Sequence, residues 1–241
     1  MISRAIAFQH MDDEPPGLFG EFLTARGAAI DIVNLHKGEE IPSLAPYDFM
    51  LVMGGAMDVW DVNQNPWLVE EKAAIKEWAV MRNRPFFGVC LGMQLLAEAL
   101  GGKVGLARAP EVGVGLIELR GENALTQNLP QHFRMMQWHH AEVTVLPAGA
   151  DVLARSNVTE VQIMAVGDNL VGTQFHGELT AELVAKWQHI PQYISWLEES
   201  LGAGAYERVC IEALPLLNKM RGISEAMFNN VISAKKMRAA A

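Results

Sequence analysis

Apolar residues occur along this chain in two rhythms. Short unbroken runs at residues 4–9, 29–35, 49–53 and 86–89 read as buried strands, and helical periodicity follows the first and the last two of them. A Pro-Gly loop leads into an amphipathic helix from Leu18 to Arg26 that stops at Gly27. Asn65-Pro66 opens a longer helix, with Asn65 as the cap, Pro66 at its first position and Glu70 and Glu71 near its positive end. Leu68, Ile75, Trp78 and Ala79 share one face of it, and Arg84-Pro85 marks its end. Residues 91–100 form a further helix, closed by Gly101-Gly102. Continuous apolar strands alternating with helices predict a parallel sheet covered on both faces.

The rhythm changes from residue 112 to residue 166. Short β-like runs at 114–119, 133–138, 142–146, 152–154 and 162–166 are separated by turn residues such as Leu146-Pro147-Ala148-Gly149, which predicts partly antiparallel hairpins. A last strand at 170–175 ends in His176-Gly177-Glu178. Thr180 then caps a helix from Ala181 that breaks near Pro191. Residues 201–241 are helical and alanine-rich, with Gly202 and Gly204 as a hinge. The expected fold class is α/β: a doubly wound, mostly parallel sheet with helices on both faces, an antiparallel hairpin region and a helical C-terminal extension. The expected division is one domain over residues 1–200 and the extension over 201–241. Such sheets place their sites at the carboxyl ends of the strands, which puts Gly54-Gly55 and Cys90 at one edge.

Composition narrows the function classes. With 241 residues, half of them apolar, the chain can bury one substantial core. A net charge of −9 and no basic cluster beyond Lys235-Lys236-Met237-Arg238 argue against a nucleic-acid or anionic-membrane surface. Cys90 and Cys210 are the only cysteines and sit in unlike contexts, which fits a reducing compartment. The apolar start is too short for a signal peptide, and no apolar run reaches bilayer length. A cytoplasmic protein is therefore expected. The seven histidines show no metal-ligand spacing, and neither a metal nor another cofactor is expected. Cys210, on an apolar helical stripe, is expected in the core. The tryptophans are too scattered for a stacking platform.

One strand runs into its helix without a loop. Phe86-Phe87-Gly88-Val89-Cys90-Leu91-Gly92-Met93-Gln94 makes the turn through Gly-x-Cys-x-Gly, the spacing of a nucleophile elbow with Cys in place of Ser. The turn strains the nucleophile's backbone, and positions two before and two after it pass too close for side chains. Cys90 then stands at the first turn of a helix, where the dipole and unpaired N–H groups favour negative charge on sulfur. The N–H of Leu91 is placed to hold a developing oxyanion. A cysteine nucleophile needs a base, and the base needs a group that fixes its tautomer. His176 and Glu178 supply both, because residues two apart in extended backbone project to the same side. The order Cys, His, then acid disfavours a cysteine α/β-hydrolase, in which the acid precedes the His. It also disfavours the intracellular peptidases that place His directly after the elbow Cys, because Leu91 stands there.

These pieces resemble a class I glutamine amidotransferase domain, and most closely the stand-alone group similar to the glutaminase domain of GMP synthetase. The resemblance rests on Met53-Gly54-Gly55-Ala56-Met57, Pro66-Trp67-Leu68, Gly88-Val89-Cys90-Leu91-Gly92-Met93-Gln94, Gln137-Trp138-His139 and Gln174-Phe175-His176-Gly177-Glu178. It implies that Cys90 attacks the side-chain amide of glutamine, that His176 protonates the departing ammonia, and that a γ-glutamyl thioester forms and is hydrolysed. Glu178 would orient His176, and Gly55 and Leu91 would donate to the oxyanion. Gln94 and the backbone at His140 and Ala141 match positions that bind glutamine. The chain departs from the family's usual pattern at three positions. Gly177 replaces the usual Pro, His140 replaces a Gly, and Ala56 stands where Pro is common. None removes a reacting group, and all bear on which γ-glutamyl compound fits.

Three readings follow. The first is a glutaminase that releases ammonia, alone, as a homo-oligomer or for a partner synthetase, since the chain shows neither a second catalytic domain nor a nucleotide-binding glycine motif. The second is a γ-glutamyl peptidase or hydrolase acting on γ-glutamyl amines or peptides. The third, of another class, is a non-catalytic interaction protein that retains the fold; the intact Cys90, His176 and Glu178 stand against it. His139 is expected to be structural.

Overall fold

A computed structural model describes residues 2–121, 123–187 and 191–238. The amino-terminal half alternates strand and helix: β1 (Arg4–Gln9), α1 (Gly17–Ala25), β2 (Ala29–Asn34), β3 (Phe49–Val52), α2 (Trp67–Lys76), β4 (Phe86–Val89) and α3 (Leu91–Ala99). β1 lies between β2 and β3, β4 lies beside β3, and all four are parallel. The runs that lack polar interruption, β3 and β4, are buried throughout, while the edge strand β2 is largely open. A strand covered on both faces can carry apolar residues at every position.

The second half extends the same sheet. β5 (Lys103–Leu119), β6 (His132–Val145), β7 (Ala150–Arg155), β8 (Ile163–Val166) and β9 (Leu170–Thr173) complete nine strands in the order β2-β1-β3-β4-β9-β8-β7-β5-β6. β9 returns to lie parallel to β4, while β5 to β8 pair antiparallel. Thr173, at the end of β9, therefore lies beside Val89, one residue before Cys90. One apolar cluster sits on the face covered by α1 and the other on the face covered by α2 and α3. Sheet and helices thus follow the predicted α/β class.

Three local expectations are corrected. Asn65 gives no side-chain cap to α2; Pro66 takes the cap position in right-handed helical geometry, and Asn65 accepts from Leu68 N–H through its backbone carbonyl at 3.0 Å. A side-chain cap needs extended backbone at the capping residue, which helical Pro66 does not offer. The helix ends near Arg84, as expected, but its last turns are not α-helical. A π-helical stretch (Glu77–Arg82) follows, closed by Asn83 at a φ of 45°. Finally, the predicted runs 133–138 and 142–146 are one strand, β6. His139 and His140 interrupt the apolar pattern, but the pairing with β5 runs on either side of them, Glu111 opposite His139 and Leu106 opposite Ala141, with residues 107–110 of β5 taking up a shift in register. The first part of β5 was not anticipated, because Gly105 and Pro110 mask it.

The carboxyl-terminal helices are α4 (Ala181–Trp187), α5 (Pro191–Leu201), α6 (Ala205–Ala213) and α7 (Leu217–Arg238). Thr180 Oγ1 accepts from Leu183 N–H at 3.2 Å, the predicted cap. Gly202 and Gly204 take φ values of 82° and 71°, which a side chain would resist, and so turn α5 into α6. The helical expectation for residues 201–241 is met as far as Arg238; residues 239–241 lie outside the described residues, as do 188–190 ahead of Pro191. α6 buries Ala205, Val209 and Ala213 against Met136, Trp138 and Trp187. α7 sends Met220, Met227, Phe228 and Val231 into the core beside Phe19 and Phe22 of α1. Cys210 is half-buried at the margin of the α6 cluster, not in the core, because its position on the helix faces the rim of the contact.

Candidate active site

Close packing enforces the turn after β4. A Cβ on Gly88 would stand 2.6 Å from the backbone of Gly92, and one on Gly92 only 2.2 Å from the carbonyl oxygen of Val52. Both glycines are obligatory, as the spacing predicted. Between them Cys90 holds φ 48° and ψ −105°, a sparsely populated conformation that costs on the order of 1–3 kcal/mol. Hydrogen bonds hold it there: Cys90 N–H donates to Thr173 O at 2.7 Å, and Met93 and Gln94 N–H donate to Cys90 O at 3.1 and 3.2 Å. The sulfur is 3.8 Å from Trp138 O and accepts from Gln174 Nε2 at 3.5 Å.

His176 and Glu178 reach the same place from the end of β9. His176 Nδ1 donates to Glu178 Oε1 at 2.6 Å, with both side chains buried. The loop that carries them is tied down twice. His176 N–H donates to Met136 O at 2.9 Å, and Leu18 N–H donates to Glu178 O at 2.8 Å. Burial pushes the His176 pKa down, but the Glu178 carboxylate and the Cys90 sulfur more than offset it and hold the pKa well above the ordinary 6.5. The ring therefore favours the imidazolium form. Its Nε2 makes no regular hydrogen bond among the described residues, and Cys90 is the group that acts on the ring opposite Glu178.

A cavity of about 200 Å³ opens over these atoms. Cys90, His176, Gly55, Leu91, Gln94, His140 and Ala141, all singled out from the sequence, line it, whereas Glu178 stands behind His176 and outside it. Gln94 Nε2 donates to Ala141 O at 3.0 Å and to Gln174 Oε1 at 3.2 Å. His140 turns to the mouth, where its Nε2 meets both carboxylate oxygens of Asp58 at 3.0 and 3.1 Å. That contact raises the His140 pKa against partial burial. His139 also borders the cavity; its Nδ1 lies 3.1 Å from Ala141 O and its Nε2 3.4 Å from Glu111.

Four contributors were not singled out from sequence. Gln174 touches the sulfur, and Glu14, Asp58 and Trp196 line the cavity. Glu14 follows β1 at the carboxyl edge of the sheet, so the rule for sites in such sheets was the signal that pointed to it. No comparable signal marks Trp196, which arrives on α5 from far along the chain. Among the described residues no group of three His, Cys, Asp or Glu is arranged to hold a metal ion, and no helix is long and apolar enough to cross a membrane.

Comparison with known proteins gives the same reading of the fold. The family model described as glutamine amidotransferase class-I matches residues 21–185. The chain belongs to this family. It is 35% identical over 154 residues to a glutamine-hydrolyzing GMP synthase subunit of Saccharolobus solfataricus, covering 64% of this chain and 78% of that protein. It is 30% identical over 175 residues to gamma-glutamyl peptidase 4 of Arabidopsis thaliana, covering 69% and 68%. A crystal structure of a glutamine amidotransferase from Thermotoga maritima superposes with a TM-score of 0.86 at 26% identity, covering 95% of this chain and 98% of that one.

Proposed function

We propose that this amidotransferase-family chain hydrolyses a γ-glutamyl amide through a thioester on Cys90. The observation that carries the proposal is the meeting, in one cavity, of an elbow cysteine and a histidine whose far nitrogen is held at 2.6 Å by a buried carboxylate. Cys90 sulfur attacks the amide carbon of the substrate side chain. The carbonyl oxygen takes up the electron pair and is met by the N–H groups of Gly55 and Leu91; losing one such donor costs about 10²–10³ in rate. The tetrahedral centre collapses, the C–N bond breaks, and the His176 imidazolium passes its proton to the leaving nitrogen, which departs as ammonia. Water, deprotonated by His176, then attacks the thioester and frees glutamate with the sulfur as leaving group. Glu178 keeps the ring in one tautomer and orientation throughout. Gln94 and the backbone of His140 and Ala141 hold the amino-acid end of the substrate.

The destination of the ammonia belongs to the same proposal. The chain either works with a partner synthetase, as the name of the Saccharolobus relative suggests, or acts alone or as a homo-oligomer. A thiol that must stay reduced to react suits a cytoplasmic setting. A second reading, hydrolysis of γ-glutamyl amines or peptides, is favoured by one observation: His140, paired with Asp58 and set against Trp196, lines the cavity, so its side chain bears on which γ-glutamyl compound fits. The test is a panel of glutamine, γ-glutamyl amines and γ-glutamyl dipeptides, with ammonia or amine release measured for wild type and Cys90→Ala. Turnover lost in Cys90→Ala supports the proposal, and preference within the panel separates the readings. Equal turnover in both proteins would overturn it.

A further inference from the structure

Among the buried titratable pairs that the proposed chemistry leaves unused, His10 and Glu71 lie beside the Gly54-Gly55 loop. His10 follows β1, and Glu71 lies on α2; neither side chain is open to solvent. His10 Nδ1 is 2.9 Å from Gly54 O, and its Nε2 is 2.9 Å from Glu71 Oε1. The ring also stacks on Trp67, with centroids 5.4 Å apart and planes 8° from parallel. The pairing of β1 with β3 explains the contact, since Phe8 stands opposite Val52 and two residues further on His10 reaches Gly54. A carbonyl oxygen only accepts, so Nδ1 carries a hydrogen. A carboxylate faces the other nitrogen and favours the imidazolium form. Burial opposes this form, but Glu71, the Gly54 carbonyl and Glu14 outweigh it and raise the His10 pKa.

Such a pair contributes little net stability, because taking both charges out of water offsets their attraction. Its place in the site gives it another use. In a trans peptide the C=O and N–H of one plane point opposite ways, and no cis bond occurs among the described residues. Pinning Gly54 O on His10 therefore aims the N–H of Gly55 away from His10, toward the cavity that Gly55 lines beside Leu91. Both positions are crowded by neighbouring side chains. A Cβ on Gly54 would meet Glu14 Oε2 at 2.3 Å, and one on Gly55 would meet Met57 Sδ at 2.5 Å and Leu91 Cδ2 at 3.0 Å. A Gly-Gly peptide has no side chains to restrain its rotation, so its orientation must be imposed from outside.

We propose that His10, braced by Glu71 and Trp67, is a positioning residue that locks the Gly54–Gly55 peptide with its N–H directed at the developing oxyanion. The hydrogen bond to the Gly54 carbonyl also polarises the peptide and strengthens that N–H as a donor. The inference rests on the thioester reading above and adds the device that keeps the oxyanion donor aimed before substrate arrives.

The test compares two reactions of Cys90 in the full chain. Turnover of the best γ-glutamyl substrate forms an oxyanion; alkylation by iodoacetamide, a displacement of iodide at carbon, does not. His10→Ala is expected to lower kcat about 10²-fold with KM changed by no more than about threefold. Alkylation of Cys90 in the same variant should stay within about twofold of wild type. In a Glu71→Gln background, His10→Asn keeps a donor near the position of Nδ1 and should turn over at least about tenfold faster than His10→Leu. This second comparison decides the matter if His10→Ala does not fold. The lock is overturned if folded His10→Ala keeps kcat within about threefold, if turnover and alkylation fall together, or if Asn and Leu behave alike. Those results leave the thioester reading standing. A wild-type protein that turns over nothing in the panel would remove that reading, and the lock with it.

Discussion

Adding one methyl group at Gly177 tests whether α7 and the loop bearing His176 and Glu178 are a single packed unit. A Cβ there would lie 2.9 Å from Ser224 Oγ on α7 and 3.1 Å from Phe19 Cζ on α1. Phe19 cannot withdraw, because its ring is wedged 4.7 Å from that of Phe87 and 5.7 Å from that of Phe228. Either α7 or the loop must give way. Overpacking of this kind costs about 1–3 kcal/mol. If the loop gives, displacement of His176 by even ~1 Å lowers turnover about 10²-fold. Ser224→Ala is the matching change. Ser224 is fully buried, and its hydroxyl has no hydrogen-bond partner among the described residues, so its removal should be neutral or stabilising by about 1 kcal/mol. The serine Cβ, 3.7 Å from the new methyl, is already at ordinary contact distance. Urea unfolding and γ-glutamyl hydrolysis of wild type, both single variants and the double variant form a cycle, with an expected coupling of about 0.5–1.5 kcal/mol in favour of the double variant. Additivity within about 0.3 kcal/mol, or a Gly177→Ala protein indistinguishable from wild type, would refute the argument.

Two further changes probe the site. Glu178→Gln removes the carboxylate that raises the His176 pKa, so the alkaline limb of kcat/KM should move to lower pH; an unmoved limb would show that the carboxylate does not govern the titration. The same shift has a stability sign. The folded pKa is raised, so the pair's contribution is complete below the ordinary 6.5 and fades as pH rises through the raised value, and denaturation midpoints of Glu178→Gln should lose that dependence. Gly92→Ala forces a methyl to within 2.2 Å of the Val52 carbonyl, which belongs to a buried strand without slack, and should cost more than about 3 kcal/mol by thermal or urea unfolding. A folded Gly92→Ala protein of wild-type stability would mean the elbow is looser than its packing indicates.

What could be read from the chain alone was local. Strands buried on both faces, β3 and β4, carry unbroken apolar runs, and the Gly88-x-Cys90-x-Gly92 spacing records contacts within a few residues and against the neighbouring strand. His176 and Glu178 meet because two residues in extended backbone share a side, a rule that needs no tertiary information. Packing decided the rest. His10 and Glu71 are 61 positions apart, and Gln174 is 84 positions from the sulfur it touches. A periodic pattern tells which face of an element is covered but not which partner covers it, so neither these contacts nor the seat of α7 against Gly177 leaves a mark in the residue order. The strand β6 was obscured for the converse reason: His139 and His140 break its apolar pattern because their side chains serve the cavity and its wall, while the backbone hydrogen bonds that define a strand are indifferent to side-chain chemistry.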